Sequence, residues 1–205
     1  METELLGKDR CVLAIIDVQN DFCHGDGAYA RLGHDVEPMA AVVPHVAKLL
    51  DLARDRDVPR VHIRVAHSDW TNDPAWLQRG MGGEVIDVHH IPIASEGTWG
   101  AEFFEIEPRP DEFVLTKHRY SAFAYTPLEL IMRAKAATTI VLCGLATHVC
   151  VHATARDALF AGFVPVVVED ATGSLTEEIH LRALEDIRSF IGRVATIADL
   201  EEAWR

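Results

Sequence analysis

Residues 140–161 read IVLCGLATHVCVHATARDALFA, which is the pattern of a strand, a turn and a helix in succession. The apolar run that ends at Cys143 predicts a buried strand, and Gly144 predicts the turn that follows it. The helix begins near Cys150, and Gly162 ends it. A strand that leads directly into a helix is the repeating unit of parallel sheets, so this segment predicts an α/β fold.

The alternation of strand and helix continues on both sides of this segment. Apolar, β-branched runs predict strands at residues 11–16, 60–66, 112–116, 138–143, 164–168 and 194–197. Helical spacing of apolar residues predicts helices at residues 38–56, 126–136, 149–161 and 176–191. This order predicts a three-layer α/β/α architecture, in which a doubly wound, six-stranded, mostly parallel sheet is covered by helices on both faces. Since neither a linker nor a repeat is visible, we expect a single domain over residues 1–205.

Three polar stretches follow predicted strands at their carboxyl ends. Asp17 closes the first strand, Lys117 follows the third, and the loop 144–148 follows the fourth. Doubly wound sheets bind ligands beyond the carboxyl ends of their strands, so we expect the site to lie there. Residues 67–110 are rich in Gly, Pro, Trp and His and lack a clear period, which predicts a lid, a binding loop or an oligomer contact.

The composition narrows the classes of partner. The formal net charge of −13 disfavours binding to nucleic acid or to an anionic membrane surface, so the expected partner is a small molecule. No apolar run reaches the roughly 20 residues that cross a bilayer, and the start of the chain carries no secretory pattern. The four cysteines form neither a CxxC pair nor a disulfide framework. We therefore expect reduced thiols and a cytoplasmic location.

Cys150 is the candidate nucleophile among the cysteines. In the first turn of a helix, the macrodipole and the free backbone N–H groups stabilise a thiolate, which predicts a lowered pKa. The same N–H groups can stabilise an oxyanion, as in a nucleophile elbow with cysteine in the serine position. The alternative is a buried cysteine that packs as a small apolar residue. Cys11 and Cys143 lie on predicted strands and are expected to be inert, and Cys23 lies in a loop, partly exposed and without a role.

Asp17 and Lys117 are charged residues at the ends of apolar strands. Burial of a lone carboxylate is costly, so Asp17 requires a partner nearby. The alternatives are a structural carboxylate that caps the next turn and a solvated loop lysine. Three chemically suited residues at three carboxyl ends are explained more simply by one site with Cys150 than by three unrelated roles.

Four segments of the chain together resemble the isochorismatase-like cysteine hydrolases. They are IIDVQNDF (15–22), KHRYSAF (117–123), GLATHVCVHATARDA (144–158) and VVVEDATGS (166–174). The resemblance implies the doubly wound fold, joint catalysis by Asp17, Lys117 and Cys150, and a cis peptide at Leu145–Ala146. It also implies assembly as a homodimer or homotetramer. The implied strand order, 3-2-1-4-5-6 in chain numbering, places Lys117 two strands away from Asp17.

The activity implied by the resemblance is hydrolysis of a C–N bond without a metal or another cofactor. Cys150 would form a thioester, and the backbone N–H groups of Ala146 and Cys150 would form the oxyanion hole. GTWG (97–100) and RYSAF (119–123) look most like enzymes that act on ureido or carbamoyl compounds and release ammonia or a small amine. The candidate substrate-binding residues are Phe22, Arg64, Trp99, Arg119 and Tyr120. Phe22 as a core residue, Trp99 as a loop anchor, and Arg64 and Arg119 as surface arginines are the alternatives.

The family and the cysteine leave other classes of function open. The nicotinamidase branch resembles a metal enzyme with an Asp-x-His pair after the second strand, whereas this chain reads RVAHSDW there. A metal alternative remains at His67, Asp69, His89 and His90. The isochorismatase branch hydrolyses vinyl ethers and commonly lacks the cysteine that is present here as Cys150. A non-catalytic or redox-sensing thiol module is the remaining alternative.

His148 departs from the family pattern, which usually has Asn or Asp two residues before the cysteine. His148 and His152 lie four residues apart, which is the spacing of a metal pair on one helix face. Cys150 lies two positions from each histidine, so it points roughly the opposite way. We therefore disfavour a metal pair and interpret His148 as a residue that alters polarity near the site.

Overall fold

The computed structural model of the chain describes residues 6–81, 84–85 and 92–205. The strands are β1 (Cys11–Ile16), β2 (Arg60–Val65), β3 (Gly80–Met81), β4 (Glu84–Val85), β5 (Phe113–Lys117), β6 (Thr139–Leu145), β7 (Val164–Gly173) and β8 (Arg193–Ala195). The helices are α1 (Asn20–Cys23), α2 (Ala28–Arg31), α3 (Glu37–Ala40), α4 (Val43–Asp55), α5 (Pro74–Leu77), α6 (Leu128–Ala134), α7 (His152–Phe160), α8 (Glu177–Phe190) and α9 (Ile197–Ala203). Two 3-10 turns, Lys8–Arg10 and Trp99–Ala101, and a π-helical turn, Thr147–Val151, accompany them. None of the described helices is long and apolar enough to cross a membrane.

Six of the strands form one parallel sheet in the order β5-β2-β1-β6-β7-β8. The sheet confirms both the predicted architecture and the strand order that the family resemblance implied. Ile16, at the end of β1, pairs with Ile63 of β2 on one side and with Gly144 of β6 on the other. The direction of winding reverses between β1 and β6, so the carboxyl ends of these strands frame the crevice in which doubly wound folds bind ligands.

The sheet separates two hydrophobic cores, and β1 contributes to both. This strand is buried along its whole length, and its side chains point alternately to the two faces. Leu13 and Ile15 pack under α4 and α9, together with the fully buried Trp204. Ile16 packs on the opposite face, under α6, α7 and α8. Full burial of one Leu or Ile side chain contributes about 1.5–3 kcal/mol, so both faces hold their helices firmly.

Two predicted elements are divided or cut short in the structure. The predicted helix 38–56 is divided into α3 and α4, because Pro44 in the first turn of α4 lacks the N–H that would continue the preceding helix. The predicted strand 194–197 is cut short, because Thr196 begins the unpredicted helix α9 with a capping box. Thr176 caps α8 through its side chain, which accepts a hydrogen bond from the backbone N–H of Ile179.

The long insertion at 67–110 is tied to the sheet by polar side chains that follow β1. Gln19 donates from Nε2 to the carbonyl of Ala101 at 2.8 Å. Asp21 accepts a hydrogen bond from the backbone N–H of Ala94 at 2.6 Å. The segment IIDVQNDF thus ends a strand and also fixes one side of the insertion. As part of the insertion, α5, β3 and β4 give it more regular structure than the sequence predicted.

Candidate active site

Asp17 is the first residue beyond β1, and the sheet fixes its position. Its backbone N–H donates to the carbonyl of Ile63 on β2 at 2.9 Å, and its φ is 51°. A left-handed φ is uncommon outside glycine and is found preferentially at functional sites. Only 1% of the residue is exposed. The carboxylate is therefore held at the carboxyl edge of the sheet and shielded from water.

Lys117 closes β5 and reaches the same place from two strands away. It lies beside Val65 of β2 in the sheet, and its side chain is completely buried. The ammonium lies 2.8 Å from Asp17 Oδ2, donates to Cys150 Sγ at 3.3 Å, and donates to the carbonyl of Arg119 at 3.0 Å. The lysine side chain therefore reaches past β2, which is how a residue on β5 meets one on β1.

Cys150 lies in the π-helical turn Thr147–Val151, which continues directly into α7. The turn follows β6, where Gly144 has a φ of 100° and where a Cβ would lie 2.1 Å from the carbonyl oxygen of Ile16. Only glycine fits at this position, because it has no Cβ. The peptide at Leu145–Ala146 is cis, as the family resemblance implied.

Burial is the largest single influence on the pKa of each of the three groups. It raises the pKa of the Asp17 carboxyl, and the nearby Lys117 opposes it without reversing it. Burial likewise raises the pKa of the Cys150 thiol to about 12, with Lys117 lowering it and Asp17 raising it. Burial disfavours the Lys117 ammonium, but Asp17 and Cys150 outweigh burial and raise its pKa. The expectation that the helix start lowers the pKa of Cys150 is therefore wrong for the free protein, in which the thiol is protonated.

The Asp17 carboxylate has unused acceptor capacity. Among the described residues, neither of its oxygens has a well-aligned hydrogen bond, although the Lys117 ammonium is within ion-pair distance of Oδ2. A buried acceptor without its full set of donors can take a proton from a neighbouring thiol. Lys117 stabilises negative charge on either Asp17 or Cys150. The arrangement can therefore supply a nucleophile, its base and a stabilising cation.

Aromatic side chains pack close to these three groups. Phe22 meets Tyr29 edge-on, with ring centroids 5.0 Å apart, and Tyr120 packs against Trp76 at 4.7 Å. Burial raises the pKa of the Tyr29 phenol, and negative charge on Cys150 raises it further, so Tyr29 lies near Cys150. Phe22 and Tyr120 are two of the predicted substrate-binding residues, and their contact with a substrate stays a prediction.

The other predicted substrate-binding residues have partners within the protein. Arg64 donates from Nε to Thr116 Oγ1 on β5 at 3.1 Å. Arg119 forms an ion pair with Asp73 in front of α5. Trp99 is 46% exposed and packs edge-on against His24, with ring centroids 5.0 Å apart. These contacts favour loop anchoring for Trp99, and substrate binding by all three residues stays a prediction.

The other cysteines are buried in the sheet or beside it. Cys11 and Cys143 lie on β1 and β6, as predicted. Cys23 is only 3% exposed, so the expectation of partial exposure is wrong, and it packs in the core under α4. Burial raises the pKa of Cys11 to about 11 and that of Cys23 to about 12. Of the four thiols, only that of Cys150 belongs to a residue that is partly exposed.

His148 and His152 have separate partners. Nδ1 of His148 hydrogen-bonds with Ser174 Oγ at 3.0 Å, just beyond β7. Nε2 of His152 hydrogen-bonds with Asp186 Oδ2 on α8, also at 3.0 Å. Burial, and then the positive charge of His152, lowers the pKa of His148, so His148 adds a neutral polar group near the nucleophile.

The metal alternative falls partly outside the described residues, because His89 and His90 belong to the stretch 86–91. Asp69 and His67 follow β2, and burial lowers the pKa of His67 to about 4. Within the described parts of the chain, no group of three His, Cys, Asp or Glu side chains is placed to hold a metal ion. The described residues therefore do not fit a metal ion, and no metal ion is given a role in the chemistry proposed below.

Three residues near the site were missed by sequence reasoning, namely Tyr29, Trp76 and Arg79. Tyr29 lies on α2, and Trp76 lies on α5 with Arg79 just beyond it. Helices of four residues are too short to show helical periodicity, so the apolar pattern gives no signal there. One local signal for the start of α5 was available. Asp73 accepts a hydrogen bond from the backbone N–H of Trp76 as the N-cap, and Pro74 follows at the first helical position.

Comparisons with known proteins cover nearly the whole chain. The Isochorismatase domain family matches residues 11–199. Ureidoacrylate amidohydrolase RutB from Methylobacterium radiotolerans is 32% identical over 206 residues, which cover 93% of this chain and 78% of that protein. An isochorismatase-like hydrolase from Alkaliphilus metalliredigens is 32% identical, with a TM-score of 0.80 over 96% of this chain and 100% of that chain. Nicotinamidase PncA from Bacillus subtilis is 28% identical, with a TM-score of 0.74 over 91% of this chain and 99% of that chain. This chain therefore belongs to the isochorismatase family.

Proposed function

We propose that this protein hydrolyses a C–N bond of a small ureido, carbamoyl or amide compound, with Cys150 as the nucleophile. The observation that carries the proposal is the position of the Lys117 ammonium, 2.8 Å from Asp17 Oδ2 and 3.3 Å from Cys150 Sγ. A cation that touches a carboxylate and a thiol stabilises negative charge on whichever of the two carries it. That is what proton transfer from a cysteine to a base requires.

The first step is attack of the Cys150 sulfur on the carbonyl carbon while Asp17 takes the thiol proton. Burial holds the pKa of both groups above its ordinary value, so Asp17 is a stronger base than a carboxylate in water. Lys117 balances the negative charge throughout the transfer. The backbone N–H groups of Ala146 and Cys150 form the oxyanion hole in this proposal.

The second step breaks the C–N bond, and Asp17 returns the proton to the departing amine. An amide leaves a thioester on Cys150, and a ureide leaves a thiocarbamate. Asp17 then takes a proton from water, which attacks the acyl carbon and frees the thiol. One ureide and one water thus give an amine and carbamic acid, which decomposes to ammonia and carbon dioxide.

The relatives support the same class of reaction. The protein is a hydrolase of C–N bonds, like the M. radiotolerans relative that is named ureidoacrylate amidohydrolase. The similarity to a nicotinamidase is a specific reason to include nicotinamide among the substrates tested. Cys150 is present, which favours C–N hydrolysis over the vinyl ether reaction.

Ammonia release from a panel of ureides, N-carbamoyl amino acids, nicotinamide and simple amides tests the proposal. We expect wild-type activity on a ureide or carbamoyl compound and a fall to background in Cys150→Ala, because the nucleophile is removed. Cys23→Ala is the matched control, since it removes a buried thiol outside the site. Each assay is repeated with a chelator, and activity is expected to persist.

Several results would contradict the proposal. Hydrolysis that survives in Cys150→Ala would show that Cys150 is not the nucleophile. Hydrolysis that the chelator abolishes would favour the metal-assisted alternative. Oxidation of Cys150 to a disulfide, in a protein that hydrolyses none of the compounds, would favour a redox-sensing thiol.

We also propose that the chain, as one domain over residues 1–205, works in the cytoplasm as a homodimer or homotetramer. Large apolar side chains on the surface support an assembly, and Phe160 and Phe190 are 74% and 76% exposed. Light scattering of the purified protein measures the oligomeric state, and a monomer at micromolar concentration would contradict the proposal.

A further inference from the structure

Arg79 is held in one place by two aromatic residues. Its guanidinium carbon lies 3.7 Å from the centroid of the Trp76 ring, and its Nε donates to the Tyr120 hydroxyl at 2.9 Å. Its Nη1 donates to the carbonyl of Trp76. The stacked and hydrogen-bonded arginine has already lost much of its rotamer freedom, so a ligand would not have to immobilise it.

The positive charge of Arg79 lacks an anionic partner among the described side chains. The neighbouring Arg119 pairs with Asp73, and Arg54 and Arg60 share Glu112 at the other end of the sheet. An arginine that is fixed in position without a carboxylate is suited to receive one from a ligand, because its two-pronged donors match a carboxylate.

Arg79 is also close to the reacting groups. It donates a hydrogen bond to Tyr120, the next residue after Arg119. The backbone carbonyl of Arg119 in turn accepts a hydrogen bond from Lys117. Burial raises the pKa of the Tyr29 phenol most, and negative charge on Cys150 raises it further. The positive charge of Arg79 acts in the opposite direction. Tyr29 therefore lies within electrostatic reach of both the nucleophile and the guanidinium.

A cavity of about 300 Å³ adjoins Arg79, and Trp76, His67 and Asn72 also line it. In the described part of the chain, two buried polar atoms of these lining residues have no hydrogen-bond partner, namely His67 Nδ1 and Asn72 Oδ1. A buried polar atom without a partner is costly, so such atoms mark a place where a ligand or water completes the structure. The cavity thus offers one fixed cation and unsatisfied neutral polar groups, and the one carboxylate among its lining residues, Asp69, is exposed to solvent. At the guanidinium, this arrangement suits a small anion that also donates hydrogen bonds.

We propose that Arg79 binds the carboxylate of a ureido or carbamoyl acid and makes the protein select such acids over their uncharged analogues. The inference rests on the proposed function, since it identifies the substrate class of the same site. The ureido group lies at Cys150, and the acid end of the substrate lies on the guanidinium, with His67 and Asn72 beside it.

Calorimetric binding to Cys150→Ala tests the inference without turnover. The acids are N-carbamoylglycine, N-carbamoyl-β-alanine and 4-ureidobutyrate, and each is compared with the ureido alcohol of equal chain length. We expect Arg79→Met, made in the Cys150→Ala background, to weaken binding of at least one acid on the order of 10- to 100-fold, as is typical when a hydrogen bond to a charged group is lost. Binding of the matching alcohol should be unchanged, which also shows that the variant is folded.

Two further variants separate recognition from structure. Arg133→Met is the charge-matched control, because Arg133 is exposed on α6 and pairs with Glu129, and it should bind acid and alcohol as the parent does. Arg79→Lys keeps the charge but loses the two-pronged geometry, and should bind the acid with intermediate affinity.

The inference is overturned if none of the acids binds in the presence of Arg79, or if Arg79→Met weakens acid and alcohol equally. It is also overturned if acid binding does not depend on residue 79. The proposed function can fail while this inference stands. If an acid binds in an Arg79-dependent way but the wild type does not hydrolyse it, the proposed chemistry is refuted and the recognition site remains.

Discussion

Two buried groups of charged residues lie at opposite ends of β2 and β5. The Asp17 cluster consists of Asp17, Lys117 and Cys150, and the Glu112 cluster consists of Glu112, Arg54, Arg60 and His62. Each contains one carboxylate that is withdrawn from water, and the two residues are 1% and 8% exposed. They differ in how completely that carboxylate is hydrogen-bonded.

Glu112 receives several well-aligned hydrogen bonds, whereas Asp17 has the Lys117 ammonium 2.8 Å from Oδ2 without a well-aligned hydrogen bond. Arg54 donates to both Glu112 oxygens at 2.8 and 2.9 Å, and Arg60 adds another bond at 3.0 Å. Burial opposes ionisation of Glu112, but hydrogen bonds from Arg54, from the backbone N–H of Arg109 and from His62 outweigh it and lower the pKa to about 2. Burial prevails at Asp17 and raises the pKa. A saturated carboxylate stabilises the fold, while an underbonded one can accept a proton, so the comparison distinguishes a structural cluster from a chemical one.

Asp17→Asn should have the largest effect. Asparagine keeps the shape of the side chain but cannot accept the thiol proton, so we expect kcat to fall by roughly 10²- to 10⁴-fold, the usual contribution of a general base. Steady-state ammonia release measures the loss, and circular dichroism checks that the variant is folded. A variant with more than a tenth of wild-type kcat would mean that Asp17 is not the base.

Glu112→Gln should reverse the pattern, with stability lost and activity kept. Removal of one partner from a buried ionic cluster typically costs about 3–5 kcal/mol of unfolding free energy, because the arginines lose their shared anion. Urea denaturation measures this change. The folded variant should retain kcat within a few-fold, since Glu112 lies at the end of the sheet away from Cys150. A stable variant with strongly reduced kcat would contradict the distinction between the clusters.

The acid stability of the wild type should show the smallest of the three effects. The pKa of Glu112 is lowered from its ordinary value of 4.5 to about 2, so its contribution is fully present above pH 4.5 and is lost as the pH falls towards 2. A shift of this size corresponds to about 3 kcal/mol. Urea denaturation at several pH values measures the slope, and Glu112→Gln should lack this part of it. Equal slopes for both proteins would show that Glu112 is not the titrating group.

The sequence predicted the sheet because its signals are local. The apolar runs at 11–16 and 164–168 can only be buried strands in an alternating chain, and both are observed in β1 and β7. Helix α9 was missed, although Thr196 and its capping box are visible in the sequence, because the final residues were interpreted as the end of a strand. The insertion around α5 lacked periodicity, and only Asp73 and Pro74 marked the start of this helix, so Trp76 and Arg79 were missed.

The sequence by itself determined the family and the strand order that the family implies, since motifs and hydrophobic period are properties of short segments. For the same reason it singled out Asp17, Lys117 and Cys150 as the candidate catalytic residues. Only the tertiary structure decided that Lys117 reaches past β2, that burial raises the pKa of Cys150 to about 12, and that Arg79 packs on Trp76 and donates to Tyr120. The physical reason is that desolvation and ionic contact depend on which groups share a buried volume, and residues far apart in the chain share one only after the strands and loops have packed.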